Sequence, residues 1–67
     1  MITEIGIVAG DIWHLLDQKG KLTVSELAQN AGHDRDLILM GLGWLAREGH
    51  VVVDGDIKAG KASLTRK

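Results

Sequence analysis

A chain of 67 residues with no cysteine, 45% hydrophobic content and a formal net charge of −1 has room for one domain, spanning 1–67, with no disulfide and no thiolate metal site. A domain near this size buries only about 60% of the surface its unfolded chain exposes. So high an apolar share therefore leaves some of itself at the surface, where contiguous patches mark interaction sites.

The near-zero charge lacks the basic excess usual in proteins that bind nucleic acid through phosphates. The apolar run Leu37 to Met40 is far too short to span a membrane, and no basic leader precedes an apolar stretch. A soluble, cytoplasmic protein without membrane contact is expected.

The first element reads as a helix over about Thr3 to Lys19. Thr3 suits the N-cap and Glu4 the first turn. Ile5, Val8, Ala9, Ile12, Leu15 and Leu16 share one helical face, and Gly20 supplies a left-handed stop. Gly6 and Gly10 cost about 1 kcal/mol each against alanine, a cost consistent with close packing of another helix. Lys21 and Leu22 form a short extended stretch.

Thr23-Val24-Ser25-Glu26 is a capping box: the Thr23 hydroxyl accepts from the Glu26 amide while the Glu26 carboxylate accepts from the Thr23 amide. A short helix follows from Val24 to Asn30, facing Leu27 and Ala28 inward, and Gly32 closes it. Asp34 caps a third helix from Arg35 to about Glu48, ended by Gly49. Two helices joined by a short glycine-containing turn are the helix-turn-helix signature.

Val51, Val52 and Val53 are β-branched and favour a strand. Asp54-Gly55 and Ala59-Gly60 are alternative hairpin tips, and Ala62 to Thr65 is the return strand. The resulting class is α+β, mainly α: three helices with a C-terminal β-hairpin wing, a winged helix-turn-helix.

The combination Ile5-Gly6, Ala9-Gly10, Ile12-Trp13, Thr23, Glu26-Leu27 and Leu42-Gly43-Trp44-Leu45-Ala46-Arg47-Glu48-Gly49 resembles a family of short stand-alone prokaryotic winged helix-turn-helix proteins. The function of that family is unassigned. The resemblance covers roughly Ile5 to Val53, and its Gly-Trp-Leu-Ala-Arg-Glu run is the most specific part. It implies a winged helix fold and a homodimer, and little about function.

The third helix is unusual for a DNA reader. Ile38, Gly41, Leu42 and Leu45 form the core stripe. Arg35, Asp36, Leu39, Met40, Gly43, Trp44 and Arg47 are left facing outward. Base edges are read mainly by Arg, Lys, Asn, Gln, Ser and Thr, and only the two arginines qualify. Asp34 and Asp36 oppose phosphate at the end that usually approaches DNA.

Burying side chains such as Leu39, Met40 and Trp44 is worth roughly 1.5–3 kcal/mol each. A partner surface over Leu39, Met40, Gly43, Trp44 and Trp13 is therefore expected, with a second copy of the chain as the partner. Tryptophan is enriched among interface anchors, though both tryptophans read equally well as packing at a domain edge.

Basic residues gather late in the chain: Lys58, Lys61, Arg66 and Lys67. With Arg35 and Arg47 they are the candidate contacts to double-stranded DNA in a transcription regulator. The competing reading is a solvated hairpin whose lysines deter edge pairing. A protein-interaction module that binds no DNA is the alternative function. His14, His33 and His50 lack ligand spacing, Ser25 and Ser63 lack a base, and no phosphate loop follows a strand. No metal, no cofactor and no enzymatic activity are expected.

Overall fold

The computed structural model describes residues 2–55 and 60–65. Helix α1 spans Ile2–Lys19. It begins one residue ahead of Thr3, which therefore lies inside the helix instead of capping it. A helix starts where the backbone enters helical geometry, and a cap-competent side chain does not by itself delay that entry. At the other end Gly20, at φ 88°, donates its N–H to the Leu16 carbonyl and stops the helix.

Strand β1, Leu22–Thr23, leads directly into α2, Val24–Ala31. Helix α2 runs one residue past Asn30, and Gly32 closes it as expected, in the left-handed conformation at φ 70°. Helix α3, Arg35–Arg47, starts where the Asp34 carboxylate accepts from the Asp36 amide at 3.2 Å. Glu48 is its C-cap, one residue earlier than expected, and left-handed Gly49 follows.

Strands β2, Val51–Asp54, and β3, Lys61–Leu64, form the hairpin. Asp54 pairs with Lys61, so the return strand starts one residue earlier than Ala62. The two glycine turn signals bracket a single connection over 55–60. The choice of tip falls on 56–59, outside the described residues.

The sheet order is β1-β3-β2, all antiparallel. Leu22 and Thr23 pair with Ala62 and Lys61, which ties the wing to the chain just ahead of α2. The short extended stretch of the sequence is thus an edge strand, and Thr23 serves both as its last residue and as the N-cap of α2.

One core joins all these elements. Val8, Ala9, Ile12 and Leu16 of α1 meet Leu27 of α2 and Ile38, Leu42 and Leu45 of α3, with Leu22, Val24, Val51 and Ala62 closing the sheet side. Ile5 and Leu15 of the expected α1 face are half-buried at its margins.

Gly41 has the tightest packing of the helical glycines. A Cβ there would stand 2.9 Å from Ile12 Cδ1, 3.0 Å from Val8 Cγ1 and 3.4 Å from the Ala9 backbone nitrogen. Val8 and Ile12 are fully buried and have nowhere to retreat. Gly41 is therefore what lets α1 and α3 lie close together. Among the described residues no helix is long and apolar enough to cross a membrane.

The capping box is formed as expected. Glu26 N–H donates to Thr23 Oγ1 at 3.1 Å and Thr23 N–H to Glu26 Oε1 at 2.9 Å. The Thr23 backbone N–H, then its side chain, hold the Glu26 carboxyl below its ordinary value, and Lys61 adds to the effect.

Thr23→Ala is expected to cost about 1 kcal/mol of stability, read as a lower denaturation midpoint. Because the folded carboxyl titrates below its unfolded value near 4.5, the Glu26 contribution is complete above about pH 4.5. It is lost as pH falls through the lower folded value. Glu26→Gln should flatten that acid limb of the stability curve.

Candidate nucleic-acid and protein interface

The exposed side of α3 carries the residues expected there, with one correction. Met40 and Trp44 are 39% and 52% exposed, and Gly43 is exposed with nothing within 4 Å of a built Cβ. Leu39, expected in water, is half-buried against the domain's own core. The core stripe is wide enough to reach its flank of the helix.

On α1, Trp13 is 38% exposed with its ring edge-on to His14, and Ile7 is 58% exposed. Gly6, Gly10 and Trp13 recur at i, i+4 and i+7, which places them along one stripe of the helix surface. Neither glycine has a neighbour within 4 Å of a built Cβ. The domain thus contains two kinds of helical glycine. Gly41 is required by internal packing, whereas Gly6, Gly10 and Gly43 weaken their helices without any internal contact that needs them.

The basic candidates are dispersed. Arg35 and Arg47 stand at the two ends of the 13-residue α3, about 18 Å apart along its axis. Arg35 Nη1 donates to Ser25 Oγ at 3.2 Å, which draws the guanidinium back over the start of α2. Arg47 is exposed in the last turn of α3.

Lys61 is exposed on β3 opposite Thr23 and Asp54, near enough to Glu26 to help lower its pKa. Lys21 reaches Asp54 at 3.6 Å. Lys58, Arg66 and Lys67 fall outside the described residues.

Two contacts were not legible in the sequence. His33, in the turn between α2 and α3, places Nε2 at 2.8 Å from Asp11 Oδ2 on α1. An ionised carboxylate only accepts, so Nε2 carries the proton. This bond fastens the helix-turn-helix turn to α1 across 22 positions of sequence. The second is Arg35 with Ser25. Neither pair has a local spacing signal, because each forms only after separate helices have packed.

Among the described residues no group of three His, Cys, Asp or Glu side chains could hold a metal ion, and no polar side chain is buried.

The arrangement is similar to known proteins. The family described as "Winged helix-turn-helix domain (DUF2582)" matches residues 1–64. The uncharacterized protein MJ1608 of Methanocaldococcus jannaschii is 35% identical over 57 residues, covering 82% of this chain and 81% of its own length. The solution NMR structure of protein BT2368 from Bacteroides thetaiotaomicron superposes with a TM-score of 0.82 at 27% identity, covering 92% of this chain and 76% of that one. A winged helix is typically a non-enzymatic fold, and the fold by itself does not dictate function.

The Asp11–His33 bond is partly exposed, so a double-mutant cycle with Asp11→Ala and His33→Ala should give a coupling energy of roughly 0.2–1 kcal/mol. A coupling of zero would show that the turn is held by apolar packing alone.

Proposed function

The chain belongs to the DUF2582 winged helix-turn-helix family, and from that premise we propose that it is a cytoplasmic DNA-binding regulator of transcription that works as a homodimer. The wing and tail contact phosphates through Lys58, Lys61, Arg66 and Lys67, with Arg35 and Arg47 in lesser roles. The exposed face of α3 is committed to the partner copy and does not enter the major groove.

The observation that carries this reading is the make-up of that face. Met40, Gly43 and Trp44 stand exposed beside Asp36 and Arg47. Such a surface has large apolar area, no neutral hydrogen-bonding side chain for base edges and a tryptophan suited to anchor an interface. A homodimer with two-fold symmetry, the commonest assembly, would cover it twice and double the number of wings. A net charge of −1 puts little repulsion between copies.

A second reading is a protein-interaction module that binds no DNA. It is favoured by the pairing of three of the described basic groups: Arg35 with Ser25, Lys21 with Asp54, and Lys61 beside Asp54 and Glu26.

Sedimentation at micromolar concentration should give twice the monomer mass. In a Trp13→Phe background the Trp44 fluorescence should be blue-shifted and poorly quenched. Trp44→Ala should weaken the dimer at least roughly 30-fold, as expected for loss of an anchor worth 2 kcal/mol or more.

The glycines provide an independent test. Gly43→Ala should stabilise the isolated monomer by about 1 kcal/mol yet weaken the dimer. Gly41→Ala should destabilise the monomer by about 1 kcal/mol, because overpacking outweighs the gain in helix propensity. A clean monomer at these concentrations would remove the dimer from the proposal.

Neutralising Lys58, Lys61, Arg66 and Lys67 together should abolish DNA binding and flatten its dependence on salt. Arg35→Ala and Arg47→Ala should each matter less. If the parent protein leaves mixed-sequence DNA unbound at about 50 mM salt, the second reading stands and the first fails.

A further inference from the structure

Between α1 and the end of α2 lies an open cleft of about 280 Å³, lined by Asp11, His14, Leu15, Gln18, Asn30 and Ala31. Two of these side chains are already oriented by bonds that use one end and leave the other available. Asp11 spends Oδ2 on His33 at 2.8 Å, which leaves Oδ1 as an acceptor. Asn30 donates Nδ2 to the Glu26 carbonyl at 2.7 Å, which fixes its amide so that Oδ1 is the acceptor left over.

The electrostatics of the cleft point to positive charge. The carboxylate of Asp11 faces no Lys or Arg among the lining residues. Asn30 and Ala31 belong to the last turn of α2, where unpaired carbonyls carry the negative end of the helix dipole. That turn contains no basic residue to complement it, whereas α1 and α3 have Lys19 and Arg47 in theirs. Leu15 and Ala31 contribute an apolar wall for a short hydrocarbon stem.

We propose that this cleft binds a small organic cation, an alkylated guanidinium or ammonium, whose N–H groups donate to Asp11 Oδ1 and Asn30 Oδ1. The size of the cleft, near the lower end of small-molecule sites, restricts the ligand to a few heavy atoms beyond the charged group. A metal ion is a poor fit, since the lining supplies only Asp11 and His14 as strong ligands. The bound cation bridges α1 and the end of α2 beside the His33 turn, where it stiffens the helix-turn-helix unit. The assignment is independent of whether the chain binds DNA.

The probe is methylguanidinium, titrated into the full chain while backbone amide shifts are followed by NMR, with n-butanol and sodium chloride as matched controls. Saturating shifts are expected at Asp11, Leu15, Gln18, Asn30 and Ala31, with millimolar affinity or better. Asp11→Asn should weaken binding at least about tenfold.

Gln18→Lys should do the same by placing a competing ammonium in the cleft. That variant changes an exposed position near the end of α1, so it tests the site even if Asp11→Asn disturbs folding. Shifts that rise linearly through about 20 mM, equal shifts with n-butanol or sodium chloride, or undiminished affinity in Gln18→Lys would each overturn the assignment.

Discussion

The close approach of α1 to α3 at Gly41 is the constraint on which the rest of this domain depends. Ile12 and Val8 fill the space that a side chain at 41 would occupy, and both belong to the fully buried set that also holds Leu16, Leu27, Ile38 and Leu42. Interiors pack at crystal-like density, so a methyl group added at such a point must displace its neighbours. A separation of α1 and α3 there would loosen the seat of Leu27 from α2 as well. So small a domain has little surplus core to absorb such a change.

The sheet acts as the second tie. Two residues of β1 pair with the return strand of the wing, and Thr23 at the end of that pairing also caps α2. The orientation of α2 is thus joined to the wing by backbone hydrogen bonds, while His33 and Asp11 join the following turn to α1. Helix α2 is thus held at both ends by contacts to segments outside the helix-turn-helix unit. The β1–β3 pairing and Thr23 form a short path between the wing and α2.

The surface divides in a way that bears on function. The apolar residues that the core cannot take up lie on α1, α3 and β2, as Ile7, Trp13, Met40, Trp44 and Val52. Of the described basic residues, Arg35 is drawn to Ser25, Lys21 lies against Asp54 and Lys61 lies near Glu26. Affinity for phosphate grows with the number of cations that act together.

Much of the fold was legible in the sequence because its signals are local. The capping box at Thr23 and Glu26, the Asp34 cap, the left-handed glycines at 20, 32 and 49 and the stripe Ile38, Gly41, Leu42, Leu45 each depend on residues within a turn or two of one another. Element ends were less secure: α1 begins before Thr3, and α2, α3 and β3 shift by one residue, since hydrogen bonding with neighbouring segments decides the last turn or pair. The exposure of Trp44, Met40 and Gly43 followed from the helical period alone.

Tertiary structure decided what periodicity cannot reach. It put Leu39 against the core, recruited Leu22 and Thr23 into the sheet and brought His33 to Asp11 and Arg35 to Ser25. It also fixed the distances at Gly41, where Ile12 and Val8 fill the space of a side chain, and left Gly6, Gly10 and Gly43 with no described neighbour within 4 Å of a built Cβ. The helical period already set Gly41 on the core stripe and Gly43 on the outward face, but the cost of a helical glycine is the same at all four positions because it is a property of the backbone. What offsets that cost is a contact distance, and distances between helices exist only once the chain has folded.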